Sequence, residues 1–143
     1  MSRYEKPLPR SDDLDNAPYW AAAREGRLVF QRCTRCGQFR FPAAPVCADC
    51  RSREAQWEEI SGTWLIESLC RFHKAYWPSF ADDVPYTVIQ VRHASGVRMY
   101  SNPVDAHLED ARIGAKVEPA FEKVTDEVTL VKFRRVLETG DAK

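Results

Sequence analysis

The residues best able to do chemistry are the cysteines of Cys33-Thr34-Arg35-Cys36 and Cys47-Ala48-Asp49-Cys50, two Cys-x2-Cys pairs separated by ten residues. Two residues between thiolates let one tight turn aim both sulfurs at a single point. Two such turns complete a tetrahedral four-sulfur site of the kind that holds structural Zn2+. Rubredoxin-type iron takes the same ligands, and without a metal the same cysteines could form two disulfides or stay as four free thiols. Four thiolates close the coordination shell, so a metal held here fixes a fold and leaves no open position for water or substrate. The short connection has room only for a small ribbon of two short strands. Gly37 follows the first pair, where the turn calls for a residue tolerant of positive φ.

Outside the four cysteines no set of nucleophile, base and orienting group is visible. Cys70 sits in an apolar-rich stretch without a motif and reads as a small core or half-buried residue. His93 and His107 read as surface residues; His73 is kept as a contact residue. Gly114 in Ile113-Gly114-Ala115-Lys116 is a turn glycine, and glycine-rich phosphate loops are absent. The pattern favours binding over turnover. The richest binding stretch is Arg71-Phe72-His73-Lys74-Ala75-Tyr76-Trp77-Pro78-Ser79-Phe80, with four aromatic and three basic-type side chains in ten residues. A loop so aromatic invites association. Stacked bases with Arg71 and Lys74 on phosphates would suit it, as would a nucleotide-bearing small molecule or a protein surface. A plainer reading folds the loop back, with Trp77 and Phe80 filling the core.

These residues need elements to place them. Asp15 or Asn16 can cap a short helix carrying Pro18 in its first turn and closed by Gly26; its Tyr19 and Trp20 must dock on this chain or on a partner subunit. Residues 27–32 and 38–41 read as the ribbon strands, with Pro42 and Pro45 stiffening the way to the second cysteine pair. Between Arg27 and Trp57 six arginines face two acids, so even with the charge of a zinc–tetrathiolate centre the ribbon is modestly basic. Beyond Ser61-Gly62 the pattern turns to β: residues 63–72, 86–93, 97–102, 116–124 and 128–136 read as strands, and 104–112 as a helical turn between the third and fourth. Five short strands so interrupted fit a small closed barrel of the OB type. The fold class is therefore mainly β: an arm and short helix (1–26), a four-cysteine rubredoxin-like zinc ribbon (27–60), a five-stranded OB-fold barrel (61–137) and a frayed tail (138–143).

The chain has 143 residues and a formal net charge of zero. That balance gives no general attraction to nucleic acid or to an anionic membrane. The absence of a long apolar run or a signal-peptide pattern leads to the expectation of a reducing, cytoplasmic compartment.

Pro18-Tyr19-Trp20, Glu25-Gly26-Arg27-Leu28, the short-loop four-cysteine ribbon, the aromatic loop with Phe80 and Val84-Pro85-Tyr86, Ile113-Gly114 and residues 128–134 occur in an order that resembles the DUF35 family. Members pair a rubredoxin-like zinc ribbon with an OB-fold. The resemblance covers roughly residues 10–137. It implies a non-catalytic zinc-binding accessory subunit of a thiolase-type complex, with a thiolase, a thiolase-like aldolase or a hydroxymethylglutaryl-CoA synthase-type enzyme as its hetero-oligomeric partner in acyl-CoA metabolism. The catalytic cysteine and histidine would belong to that partner. The metal ligands of the family fall on Cys33, Cys36, Cys47 and Cys50. Contact with CoA, acyl-CoA or the partner is implied for Arg71, Phe72, His73, Lys74, Trp77, Phe80, Lys132 and Arg134, and a partner-facing helix for Tyr19 and Trp20. CoA needs a few Arg or Lys donors and an aromatic face for its adenine, which suits local clusters on a neutral chain. A competing reading is a zinc-ribbon and OB protein that binds single-stranded nucleic acid, which the neutral charge disfavours.

Overall fold

Residues 5–104 and 111–136 are described by the structure, a computed structural model. The expected tail, His107 and most of the expected helical turn lie outside them. Residues 5–11 form no helix or strand, and α1 spans Ala17–Arg24. Asn16 is its N-cap, but its side chain donates to Asp13 Oδ2 (3.2 Å) and leaves the helix amides alone. The Asp13 carbonyl takes the first amide instead, that of Ala17, at 2.7 Å. Gly26, at φ +75°, ends the helix as expected, its N–H and that of Arg27 returning to Ala23 and Ala22.

The ribbon has three strands, one more than its length suggested: β1 (Val29–Cys33), β2 (Phe39–Arg40) and β3 (Ala55–Glu59), in the antiparallel order β2-β1-β3. β3 pairs along its whole length with β1, from Cys33 opposite Ala55 to Val29 opposite Glu59. Its Gln56 and Glu59 face solvent on an edge, so the stretch lacks the apolar alternation that identifies a strand in sequence. Charged residues on an edge also discourage further strand pairing.

The second sheet contains β4 (Trp64–Phe72), β5 (Tyr86–His93), β6 (Arg98–Ser101), β7 (Lys116–Lys123) and β8 (Thr129–Arg135), in the order β6-β5-β4-β7-β8. It curls into a nearly closed, OB-like barrel, with Pro103 bridging to Phe133 and Ser101 Oγ donating to the Val131 carbonyl at 2.7 Å. Alternation in β5 and β8 works as the sequence predicts: Thr87, Ile89 and Val91 point inward, as do Thr129, Val131 and Phe133. In β4 it breaks. A bulge between Ile66 and Ser68 reverses which residues face the core, so Trp64 and Ile66 are inside before it and Leu69 after it. Cys70 is consequently exposed, which corrects the expectation of a core or half-buried residue.

Ribbon and barrel share one hydrophobic core. Tyr19, Leu28 and Phe30 from the helix and ribbon join Trp64, Ile66, Ile89, Val91 and Phe133 from the barrel. Trp64, fully buried, is the joint, with ring centroids 5.9 Å from Phe30 and 5.4 Å from Phe133. His93 fastens the connection at its outer side. Its Nδ1 accepts from the Ser95 N–H at 3.0 Å, which puts the ring proton on Nε2, where it is donated to the Ser61 carbonyl at 2.8 Å. The histidine read as a surface residue is thus half-buried and holds the ribbon–barrel linker.

Candidate metal centre and binding face

The cysteine pairs close into one cluster, built by two turns of the same design. In the first, the Gly37 N–H donates to the Cys33 carbonyl (2.9 Å) and the Cys33 N–H to the Gln38 carbonyl (2.9 Å). In the second, Arg51 and Ser52 take the places of Gly37 and Gln38, at 3.0 and 2.9 Å. The four sulfurs lie within 4.8 Å of one another, Cys33 being 3.5 Å from Cys50 and Cys36 3.6 Å from Cys47. Tetrahedral zinc with bonds of about 2.3 Å requires sulfurs about 3.8 Å apart, so the donor set fits the ion. All four are free thiols at these distances, which removes the disulfide reading.

The site's electrostatics also favour a cation. The Cys33 thiol is held down at about 6, first by the Cys36 backbone N–H, which lies 3.5 Å from its sulfur. The Cys47 thiol is lowered as well, led by the Cys50 backbone N–H. At Cys36 the Gln38 N–H lowers the thiol, yet burial and the neighbouring Cys47, Cys50 and Cys33 sulfurs prevail and push it up to about 12. Four thiolates in one cluster repel one another, and a divalent ion is what lets the last proton leave. Cys33 and Cys47 are buried, Cys50 half-buried and Cys36 exposed, so one edge of the centre meets solvent.

The glycine expected after the first pair sits at φ +82°, as the turn demands. The equivalent position in the second turn is Arg51 at φ +64°, the one positive-φ residue other than glycine among those described. A Cβ in this region costs roughly 1 kcal/mol or more.

The aromatic loop neither fills the core nor stands free. Register places Phe72 opposite Tyr86 on the outer face of β4 and β5, with ring centroids 5.1 Å apart. Phe80, in a 3-10 turn spanning Pro78–Phe80, also packs on Tyr86, at 5.8 Å. Tyr76 leans on Phe72 at 6.3 Å, with the Lys74 ammonium 5.2 Å from its ring centre. Tyr76 remains 65% exposed and Trp77 57%, so the reading in which Trp77 fills the core is set aside. His73 is exposed and Arg71 half-buried.

The remaining contact residues separate. Lys132 shares a cleft of about 210 Å3 with Phe80, Tyr86 and Asn102, but its ammonium is paired with Glu122. Lys6 of the N-terminal segment borders that cleft, 2.7 Å from Asp83 and over the Phe80 ring. Arg134 lies elsewhere, in a cleft of about 340 Å3 between ribbon and barrel, bound to Glu118 at 2.7 Å. Tyr19 is buried between Phe30 and Phe41, where desolvation pushes its phenol up, and is inaccessible to a partner. Trp20 is half-buried against the same core. Sequence reasoning overlooked Tyr86 and Lys6. Strand pairing of the two long runs could have found Tyr86, whereas nothing in the chain signals that Lys6 reaches Asp83.

Residues 20–55 match the rubredoxin-like zinc ribbon domain of ChsH2, and residues 57–122 its C-terminal OB-fold domain. A protein of Thermomonospora curvata, named as a probable enoyl-CoA hydratase alpha subunit, is 34% identical over 120 residues. The match takes in 84% of this chain and 37% of that protein, so the chain spans little more than a third of the relative's length. A DUF35 domain-containing scaffold protein of Methanocaldococcus jannaschii is 31% identical over 102 residues, 70% of this chain and 71% of that one. Among solved structures, a chain described as Ltp2-ChsH2(DUF35) aldolase superposes with a TM-score of 0.76 at 32% identity, covering 89% of this chain and 98% of the other. A DUF35 protein of unknown function from Sulfolobus solfataricus shares the fold, at a TM-score of 0.61 and 12% identity over 86% of each chain.

Proposed function

The chain belongs to the DUF35 family, a zinc ribbon followed by an OB-fold, and from that premise we propose that it is a non-catalytic subunit of an acyl-CoA enzyme. Cys33, Cys36, Cys47 and Cys50 would hold Zn2+, which supplies cross-linking of the two turns and no reaction chemistry. The ribbon strands and α1 then keep a fixed orientation on the barrel through the shared core. The exposed loop around Tyr76 and Trp77, with Phe72, Tyr86 and Phe80 behind it, presents the apolar surface that a partner would cover. Arg71, His73, Lys74 and Lys132 border it and are the proposed contacts for the phosphates of CoA or for partner carboxylates. The partner's active site performs the bond-making, and a thiolase, a thiolase-like aldolase or a hydratase each fits this role.

The observation that carries the reading is a closed four-sulfur centre and an aromatic outer face on one rigid core, in a family whose relatives are named as a scaffold and an alpha subunit. Co-expression with candidate acyl-CoA enzymes of the same organism (a thiolase, a thiolase-like aldolase and a hydratase), followed by sedimentation, tests it. The expected result is a complex of fixed stoichiometry that weakens at least tenfold in the Trp77→Ala variant, as for an interface aromatic. A chain that stays alone in the presence of those enzymes contradicts the proposal.

A further inference from the structure

The two metal-binding turns differ at one position that the backbone treats as equivalent. Gly37 fills it in the first turn and Arg51 in the second, both in the left-handed region. Glycine takes that conformation freely and a residue with a Cβ does not, so the fold alone favours glycine at residue 51. Strain of this kind is retained where a side chain has work to do.

The surroundings of Arg51 point to what that work is. Three of the ribbon's arginines are engaged within the fold: Arg27 with Glu59, Arg32 with Glu58 and the Gly37 carbonyl, and Arg40 with Gln31. Arg35, Arg51 and Arg53, all exposed, have no side-chain partner among the described residues. They lie at the same end of the ribbon. The sulfur cluster draws the two turns together, and the Thr34 N–H donates to the Glu54 carbonyl at 3.2 Å, which sets the segment of Arg35 beside that of Arg53. Asp49 and Glu54 are exposed at that end too, and a zinc–tetrathiolate centre is itself a dianion. The tip is therefore close to neutral overall, with no field to gather a polyanion. What it offers is local: planar guanidinium forks that each match one carboxylate, on a side chain that with Trp and Tyr is enriched among interface anchors.

We propose that Arg51, flanked by Arg35 and Arg53, anchors the metal end of the ribbon on a carboxylate-bearing surface of the partner enzyme. This rests on the reading of the chain as a subunit. The test titrates the full-length, zinc-loaded chain against the acyl-CoA enzyme subunit selected by the co-expression experiment, comparing Arg51→Gly, Arg51→Ala and Arg51→Lys. Arg51→Gly is expected to raise the melting temperature of the free chain while weakening assembly about tenfold; Arg51→Ala weakens assembly equally without the gain in stability, and Arg51→Lys weakens it less. Inorganic pyrophosphate is not expected to compete, because the near-neutral tip does not gather a small polyanion. Assembly by Arg51→Gly at wild-type affinity overturns the inference and leaves the subunit reading standing. Competition by pyrophosphate overturns it in favour of a phosphate ligand, and failure of the wild-type chain to assemble overturns both.

Discussion

At the scale of single residues, the proton inventory of the four cysteines decides how the metal is held. In the metal-free chain Cys33 sits near 6 and is a thiolate at neutral pH, whereas Cys36, raised to about 12, keeps its proton. Binding zinc must expel that proton, so acid competes with the metal. Apparent zinc affinity is expected to fall steadily between about pH 8 and pH 6 and more steeply below 6, where Cys33 also takes up a proton. Competition with a chelator across that range measures it, and calorimetry in buffers of different ionisation enthalpy counts the protons released. Affinity independent of pH contradicts the four-thiolate assignment. The exposure of the Cys36 residue does not alter this, because the neighbouring Cys47, Cys50 and Cys33 sulfurs also raise its thiol, beside the burial of the sulfur itself.

At the scale of elements, the joint between ribbon and barrel centres on Trp64, which packs on Phe30 of the ribbon and on Phe133 of the barrel. Trp64→Ala should destabilise the protein by roughly 3–5 kcal/mol, as large core truncations do. Trp64→Phe, which also removes an indole N–H without a partner among the described residues, should cost distinctly less. Denaturant unfolding of both variants checks the order, and equal losses contradict the packing role. The same elements show what could be read from the chain alone. The cysteine spacing, Gly37 and the alternation in β5 and β8 each carry a local physical signal, and each placed its element correctly. The polar edge strand β3 has no such signal, since pairing with β1 and not its own pattern makes it a strand. The bulge in β4 is equally silent, and it alone moved Cys70 to the outside. Arg51 is a third case: its conformation follows from the metal turn, while its residue type reads like any surface arginine.

At the scale of the whole molecule, one core runs through helix, ribbon and barrel, so the metal site and the aromatic face are mechanically connected. Stripping zinc removes the pin on β1 and β2 but leaves the barrel its own Ile66, Ile89, Val91, Met99 and Phe133. The expected outcome is a clearly lowered melting temperature with amide protection lost first in residues 29–59 and retained in β4 and β5; uniform protection after complete chelation contradicts the coupling. An association surface carried by such a core needs no reacting group of its own, which leads to a direct measurement. Acyl-CoA turnover is followed with this chain alone, with the candidate partner enzyme alone, and with the two combined before and after zinc removal. The chain alone is expected to be inactive, and full turnover should appear only with the zinc-loaded pair. Turnover by the isolated chain, or an enzyme subunit indifferent to its presence, would contradict the function proposed for it.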